Sequence, residues 1–225
     1  KYGIPNGTNS NISDYAGDFV AWGTPMGDGW FTLTKEQWEY LFNTRTGDKA
    51  ATVNSVADCR YTKATINTDG TVVMGIILFP DGGTFAASEF TEVGSPNTED
   101  ANYTTTCTTA QWNALQAKGC VFLPAAGRRY GASVSNVGSN GYYWSSSPKP
   151  STDDAYYVFF YSGYMSPTYN DFRCLGLSVR LVIEAPASPL NEAQAVKDLI
   201  DAIPQPVVYT PECKEAIKAA REALD

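Results

Sequence analysis

The chain has no histidine. That absence removes the commonest general base, the usual activator of a nucleophile and the commonest metal ligand, so serine triads and His-containing zinc sites are excluded with it. No apolar run approaches the roughly 18 residues that a membrane-spanning helix needs, and no h-region precedes a cleavage site. The chain opens on Lys1 and not on Met, which fits prior removal of a signal peptide or an upstream segment. Phosphate cradles are lacking too: "GDG" at 27–29 and "DGG" at 81–83 match neither nucleotide fingerprint and read as turns. Positive charge is scarce and scattered. The 16 Lys and Arg stand against 24 Asp and Glu, for a formal charge of -8, which argues against a nucleic-acid backbone or an anionic bilayer as the main partner.

Cysteine is present but unorganised. Cys59, Cys107, Cys120, Cys174 and Cys213 are odd in number, so at least one is unpaired, and none shows the C-x-x-C spacing of a zinc knuckle or a thioredoxin motif. Two readings stand: a single disulfide such as Cys107 with Cys120, or loose buried thiols, the commoner fate of such residues.

A chain of 225 residues with 43% hydrophobic and 18% charged content folds, either as one single-core domain or as a medium domain with an appendage. Its first internal signal is an echo. "LTKEQWEYLF" (33–42) and "CTTAQWNALQ" (107–116) share T-x-x-Q-W, in which Thr34 or Thr108 caps a helix and Gln37 or Gln111 reaches back from the N3 position. Leu33 with Trp38, and Cys107 with Trp112, fall where a hydrophobic staple sits, so both tryptophans are expected in a core. Strands are expected at "TVVMGIILFP" (71–80), "CVFLPAAGRRYG" (120–131), "YYWSSS" (142–147), "AYYVFFY" (155–161) and "LSVRLVI" (177–183), each bounded by Gly, Pro, Ser or Asn. The polar stretch 89–106 reads as an irregular loop. "EAPASP" (184–189) reads as a linker, after which Val196, Leu199 and Ile200 mark one helix, and Thr210, Pro211 and the stripe Cys213, Ile217, Ala220 and Leu224 mark a second. The expected organisation is a domain over 1–183, a linker over 184–189, and a helical hairpin over 190–225 that needs a further element to bury its apolar faces.

The segment 155–176, "AYYVFFYSGYMSPTYNDFRCLG", is crowded with rings: Tyr156, Tyr157, Phe159, Phe160, Tyr161, Tyr164, Tyr169 and Phe172. A strand needs only one face for a core. With Tyr156, Val158 and Phe160 inward, the period-2 rule turns Tyr157, Phe159 and Tyr161 outward, and the following loop is expected to supply Tyr164, Tyr169, Asp171, Phe172, Cys174 and Leu175.

Three pieces, "FLPAAG" (122–127), "YWSS" (143–146) and "SVRLV" (178–182), resemble a family of bacterial surface domains common among gut Bacteroidetes and known as the Fibrobacter succinogenes major paralogous domain. The resemblance covers roughly residues 20–183. It implies an α+β, C-type-lectin-like fold with two short helices and a mainly antiparallel sheet, related to formylglycine-generating enzymes and to variable proteins diversified by retroelements. In the latter the ligand-binding residues lie just before an S-V-R-L-V-like strand. The resemblance therefore implies a non-catalytic, cell-surface or secreted ligand-binding module of adhesin or receptor type. Its contact residues would be Tyr157, Phe159, Tyr161, Tyr164, Tyr169, Asp171, Phe172 and Leu175, its partner a protein or glycan, with no cofactor and no metal. Tyr, Phe, Cys, Leu and Asp are also residue types that adenine-directed mutation of Asn codons yields. The reactive cysteine pair of the formylglycine enzymes has no counterpart motif here, and the calcium-binding E-P-N and W-N-D signatures are absent, the nearest text being "SPNTED" (95–100). Two other readings remain: a structural spacer in a modular surface protein, and an enzyme working through Asp153 with Asp154, or Asp171 near Arg173. Arg173 and Arg180 are expected to hold backbone or to pair with a carboxylate. "SVRLV" is expected to be a central strand of the sheet.

Overall fold

Thr34 and Thr108 open two helices in the same way. Each threonine hydroxyl accepts the amide N–H of the glutamine three residues on, at 3.2 Å, while Gln37 and Gln111 accept the cap's own N–H at 2.8 and 2.9 Å. Helix α1 is Lys35–Glu39 and α2 is Thr109–Ala117. The staples form as well: Leu33 and Trp38 lie in one buried cluster, and Cys107, with Trp112 packed against it, in another. After Glu39 the chain widens into a π-helical turn, Tyr40–Thr44. Two arginines receive its carbonyls: Arg45 Nε donates to Leu41 O at 3.1 Å and Arg60 Nε to Phe42 O at 2.6 Å. Arg45 is 96% removed from solvent, and its remaining donors reach Phe79 O, Arg60 O and the Asp81 carboxylate, so its buried charge is fully engaged.

The computed structural model describes residues 30–68, 70–98, 102–150 and 153–183, with Glu215 and residues 217–219 as helix. Chain contacts group it into two units, Lys1–Val182 and Ile183–Asp225. The expected linker and helical hairpin lie outside the described residues, apart from those four. Among the described residues no helix is long and apolar enough to cross a membrane.

The domain is mixed α+β with mainly antiparallel sheets. Its centre is a four-stranded sheet in the order β7 (Thr105–Thr108), β4 (Tyr61–Thr68), β5 (Thr71–Leu78), β8 (Val121–Pro124). Only β7 runs parallel to its neighbour there. Alternation along β5 assigns the two faces: Ile76 and Leu78 enter one core, Ile77 enters the other, followed there by Phe79. The first core joins this sheet to α1, the π-helical turn and a three-stranded sheet of β11 (Gly141–Pro148), β12 (Asp154–Tyr161) and β13 (Tyr164–Phe172). The second core lies with α2 and with β2 (Ala51–Val53) and β6 (Thr84–Phe85), which run parallel beside β3 (Val56–Cys59). Two small ribbons complete the unit, β9 (Arg128–Tyr130) with β10 (Ser133–Ser135), and β1 (Trp30–Thr32) with β14 (Leu181–Ile183).

Two expectations are corrected. Residues 164–172 are not a loop: they form β13, hairpinned to β12 through Ser162 and Gly163, because Tyr161 to Phe160 continue in register with Tyr164 to Met165. A register shift between Tyr157 and Phe159 places a bulge in β13 at Pro167 and Thr168, where the Thr168 N–H is taken by Ser166 Oγ at 3.3 Å. The segment 177–183 is not a central strand. Only Leu181–Ile183 is strand, paired with β1, while Ser178 makes a single parallel bridge to Tyr143 and Val179 is exposed. The strands paired on both sides in the four-stranded sheet are β4 and β5. Of the two cysteine readings, the structure has the loose buried thiols: Cys59, Cys107, Cys120 and Cys174 are all free and buried.

Candidate functional site

The outward face of the β11–β12–β13 sheet is built by cross-strand register. Tyr142 pairs with Phe159, Trp144 with Tyr157, Tyr157 with Tyr169, and Tyr161 with Tyr164. Side chains directly opposite one another on one face touch, and in these four pairs both residues are aromatic. Tyr142 and Phe159 stack at 4.9 Å between centroids, Tyr161 and Tyr164 at 5.8 Å and 25°, and Tyr157 meets Trp144 and Tyr169 edge-on at 5.6 Å each. Phe159 is the hub, within 5.3–5.8 Å of Tyr161, Tyr164 and Tyr169.

This face is graded in exposure. Tyr142 (3% exposed) and Tyr157 (1%) are enclosed; Trp144, Phe159 and Tyr164 are half-buried; Tyr161 (38%) and Tyr169 (42%) stand in solvent. The expectation that Tyr157 is a surface residue is therefore corrected. It does leave the Val158 and Phe160 side of the strand, but the neighbouring rings close over it. Burial, with Asp171 and Tyr169 nearby, pushes its hydroxyl well above the ordinary tyrosine range against a smaller opposing pull from Arg128.

The enclosed end is also the charged end. The Arg128 guanidinium lies 5.4 Å above the Tyr142 ring and reaches Asp171 at 3.4 Å. The Tyr142 hydroxyl accepts hydrogen bonds from Asn136 Nδ2 at 2.9 Å and Asn140 Nδ2 at 3.2 Å. At the open end, beside the β12–β13 turn, a cleft of about 420 Å³ is bounded by Tyr161 and Ser162, by Ser139 and Asn140 before β11, by Met74 of β5, and by Asn102 and Tyr103 before β7.

Of the sequence-predicted residues, Phe159, Tyr161, Tyr164, Tyr169 and Asp171 come together with Tyr157 beneath them. Phe172 does not join them: alternation from Tyr169 and Asp171 puts it on the opposite face with Asn170, although it is exposed at 44%. Leu175 is buried at 6%, as is Cys174, in the turn after β13, where Leu175 N donates to Phe172 O; as a contact residue it is corrected too. Sequence reasoning missed Tyr142, Trp144, Arg128 and Asn140. The signal for the first two was available, since period 2 in "YYW" puts Tyr142 and Trp144 on one face.

The acidic pairs are structural in their contacts. Asp154 faces Lys149 at 3.6 Å, and Asp171 pairs with Arg128. Arg173 Nε donates to Asp154 O at 2.9 Å and Arg180 to Phe122 O at 2.6 Å, so both arginines hold backbone. Among the described residues no three His, Cys, Asp or Glu side chains converge on a point. Burial raises every described thiol, Cys107 to about 11 and Cys120 to about 12.

A family model described as "Domain of unknown function (DUF8237)" matches residues 77–182. The match runs from the last residues of β5 to the first of β14 and so takes in β6 to β13, and with them the aromatic face. No curated protein and no solved structure matches the chain.

Proposed function

We propose that the domain is a non-catalytic ligand-binding module of C-type-lectin-like fold, displayed on the bacterial surface or secreted, whose contact surface is the open end of the aromatic face. The observation that carries this is the exposure gradient across one cluster of rings. A sheet face that served packing alone would be closed by a layer of chain. Here Tyr161 and Tyr169 present more than a third of their surface to solvent on a foundation of buried rings that fixes their rotamers. Rigid tyrosines offer large contact area at small entropic cost and a polar tip, and none of the Tyr161, Tyr164 and Tyr169 hydroxyls is engaged by another described residue. The contact set is Phe159, Tyr161, Tyr164 and Tyr169, with Asp171 at its charged end.

Two observations weigh against an enzyme: the described thiols are buried and their ionisation is disfavoured, and one carboxylate of each candidate set is paired with a cation, Asp154 with Lys149 and Asp171 with Arg128. The spacer reading is favoured by the enclosed half alone, Tyr142 and Tyr157. The test is to pan the chain against a displayed-peptide library and a printed glycan array, alongside the Tyr161→Ala/Tyr169→Ala double variant. The expected result is a reproducible ligand whose binding drops about tenfold or more in the variant, the size of a hot-spot loss, at an unchanged melting temperature. Ligands that bind both proteins equally would overturn the assignment.

A further inference from the structure

The cleft at the β12–β13 turn narrows the class of ligand, granted the reading of the aromatic face above. We infer that it takes a neutral saccharide ring, bound without calcium. Among the described residues no Lys, Arg, Asp or Glu lines it. Lys63 is buried and donates to the carbonyl of Ser162 at 3.5 Å. An anionic ligand would meet no counter-charge among the described lining residues, and the chain's formal charge of -8 disfavours it.

The polar groups present are carboxamides and hydroxyls. Asn140 spends its Nδ2 on Tyr142 and keeps Oδ1 as an acceptor, and Ser139 donates to Asn136 O and keeps its lone pairs. The side chains of Asn102, Tyr161 and Ser162 have no hydrogen-bond partner among the described residues. Such groups each match a hydroxyl, which both donates and accepts. Beside them Tyr161, stacked with Tyr164, supplies a flat apolar surface. A sugar ring has this composition, a face of C–H groups edged by hydroxyls, and the volume suits a small ring ligand.

A peptide fits less well. Sheets capture extended peptides through an unpaired backbone edge, yet β12, which carries Tyr161 to the cleft, is paired on both sides by β11 and β13. Recognition here must run through side chains. The polar groups of the described lining are carboxamides and hydroxyls, not the carboxylates that a divalent cation takes as ligands, so binding is expected to proceed without one.

The experiment is a printed array of neutral, sialylated and sulfated oligosaccharides probed with the full chain in calcium and in EDTA, then calorimetry of the best neutral hit. Expected are neutral hits that persist in EDTA, weakened about tenfold or more by Tyr161→Ala and several-fold by Asn102→Ala, an exposed position whose variant keeps the fold. Hits confined to acidic glycans, dependence on calcium, or indifference to both variants would overturn the inference. A library peptide that depends on Tyr161 and Tyr169, with no neutral glycan bound, would overturn the saccharide class and leave the binding face standing. If neither peptide nor glycan depends on those tyrosines, both readings fall.

Discussion

Tyr157 and Tyr169 sit opposite each other on paired strands, touch ring to ring, and have opposite jobs. Tyr157 is surrounded by Tyr142, Trp144, Phe159 and Tyr169, so truncating it leaves a hole that neighbours on a rigid sheet cannot fill. Tyr157→Ala should cost about 3–5 kcal/mol, in the range of large-to-small aromatic changes in cores. Tyr169→Ala should cost under about 1 kcal/mol. Urea unfolding of the two variants checks this, and equal losses would mean that the outer rings pack as the inner ones do. The strand alternation was legible in "AYYVFFY", and it put Phe159 and Tyr161 on the correct face. What alternation alone does not carry is whether an outward ring stays wet. That depends on what stands opposite in the next strand, and Tyr142, Trp144 and Tyr169 became partners only through the pairing register. The bulge at Pro167 and Thr168 then decided which of Tyr169 and Phe172 joined them, a one-residue matter that the sequence does not mark.

Elements with local causes were readable, and those with distant causes were not. Both helices follow from T-x-x-Q-W, since cap and staple are settled within six residues. Strand β4 was invisible because Thr62, Lys63, Thr65 and Asn67 break up its apolar run. In the fold it is nonetheless buried between β5 and β7, with the Thr62 hydroxyl at 2.7 Å from that of Thr105, so that two buried polar atoms satisfy each other. "SVRLV" failed the other way. Its apolar alternation promised a central strand, but the place beside β11 is held by only two backbone bonds, Ser178 N–H to Tyr142 O and Trp144 N–H to Ser178 O, each at 3.0 Å. The sensitive position is accordingly Ser178. Ser178→Pro removes the donor to Tyr142 O and should destabilise by about 1–3 kcal/mol. Val179→Pro, at an exposed residue whose amide has no partner among the described residues, should cost less. Chemical denaturation of the pair decides between this view and a true central strand, for which both would prevent folding.

For the whole molecule, the buried thiols set a limit on the alkaline side. Cys107 and Cys120 ionise near the ordinary thiol value of 9.0 when unfolded, but near 11 and 12 when folded, chiefly through burial. Folding thus holds their protons. The stabilisation is complete below pH 9 and is lost as pH rises toward the folded values, by up to about 1.4 kcal/mol per pH unit for each thiol. Urea midpoints measured from pH 8 to 11 should fall, and the fall should be shallower in Cys120→Ala than in the parent; a midpoint that is flat to pH 11 would contradict the burial of these groups.

Among the described residues strand β13 is paired on one side only, which leaves a row of backbone donors and acceptors next to the aromatic face. Two copies could in principle zip along such rows and extend without end. The kink at Pro167 works against this. Proline offers no N–H, the following amide is already occupied by Ser166 Oγ, and the extra residue turns the strand out of line, so an incoming strand finds no long uninterrupted stretch to pair with. The device that spoils the edge as a template leaves the rings beside it in place: a sheet can keep an open aromatic face, provided that its backbone is made a poor neighbour.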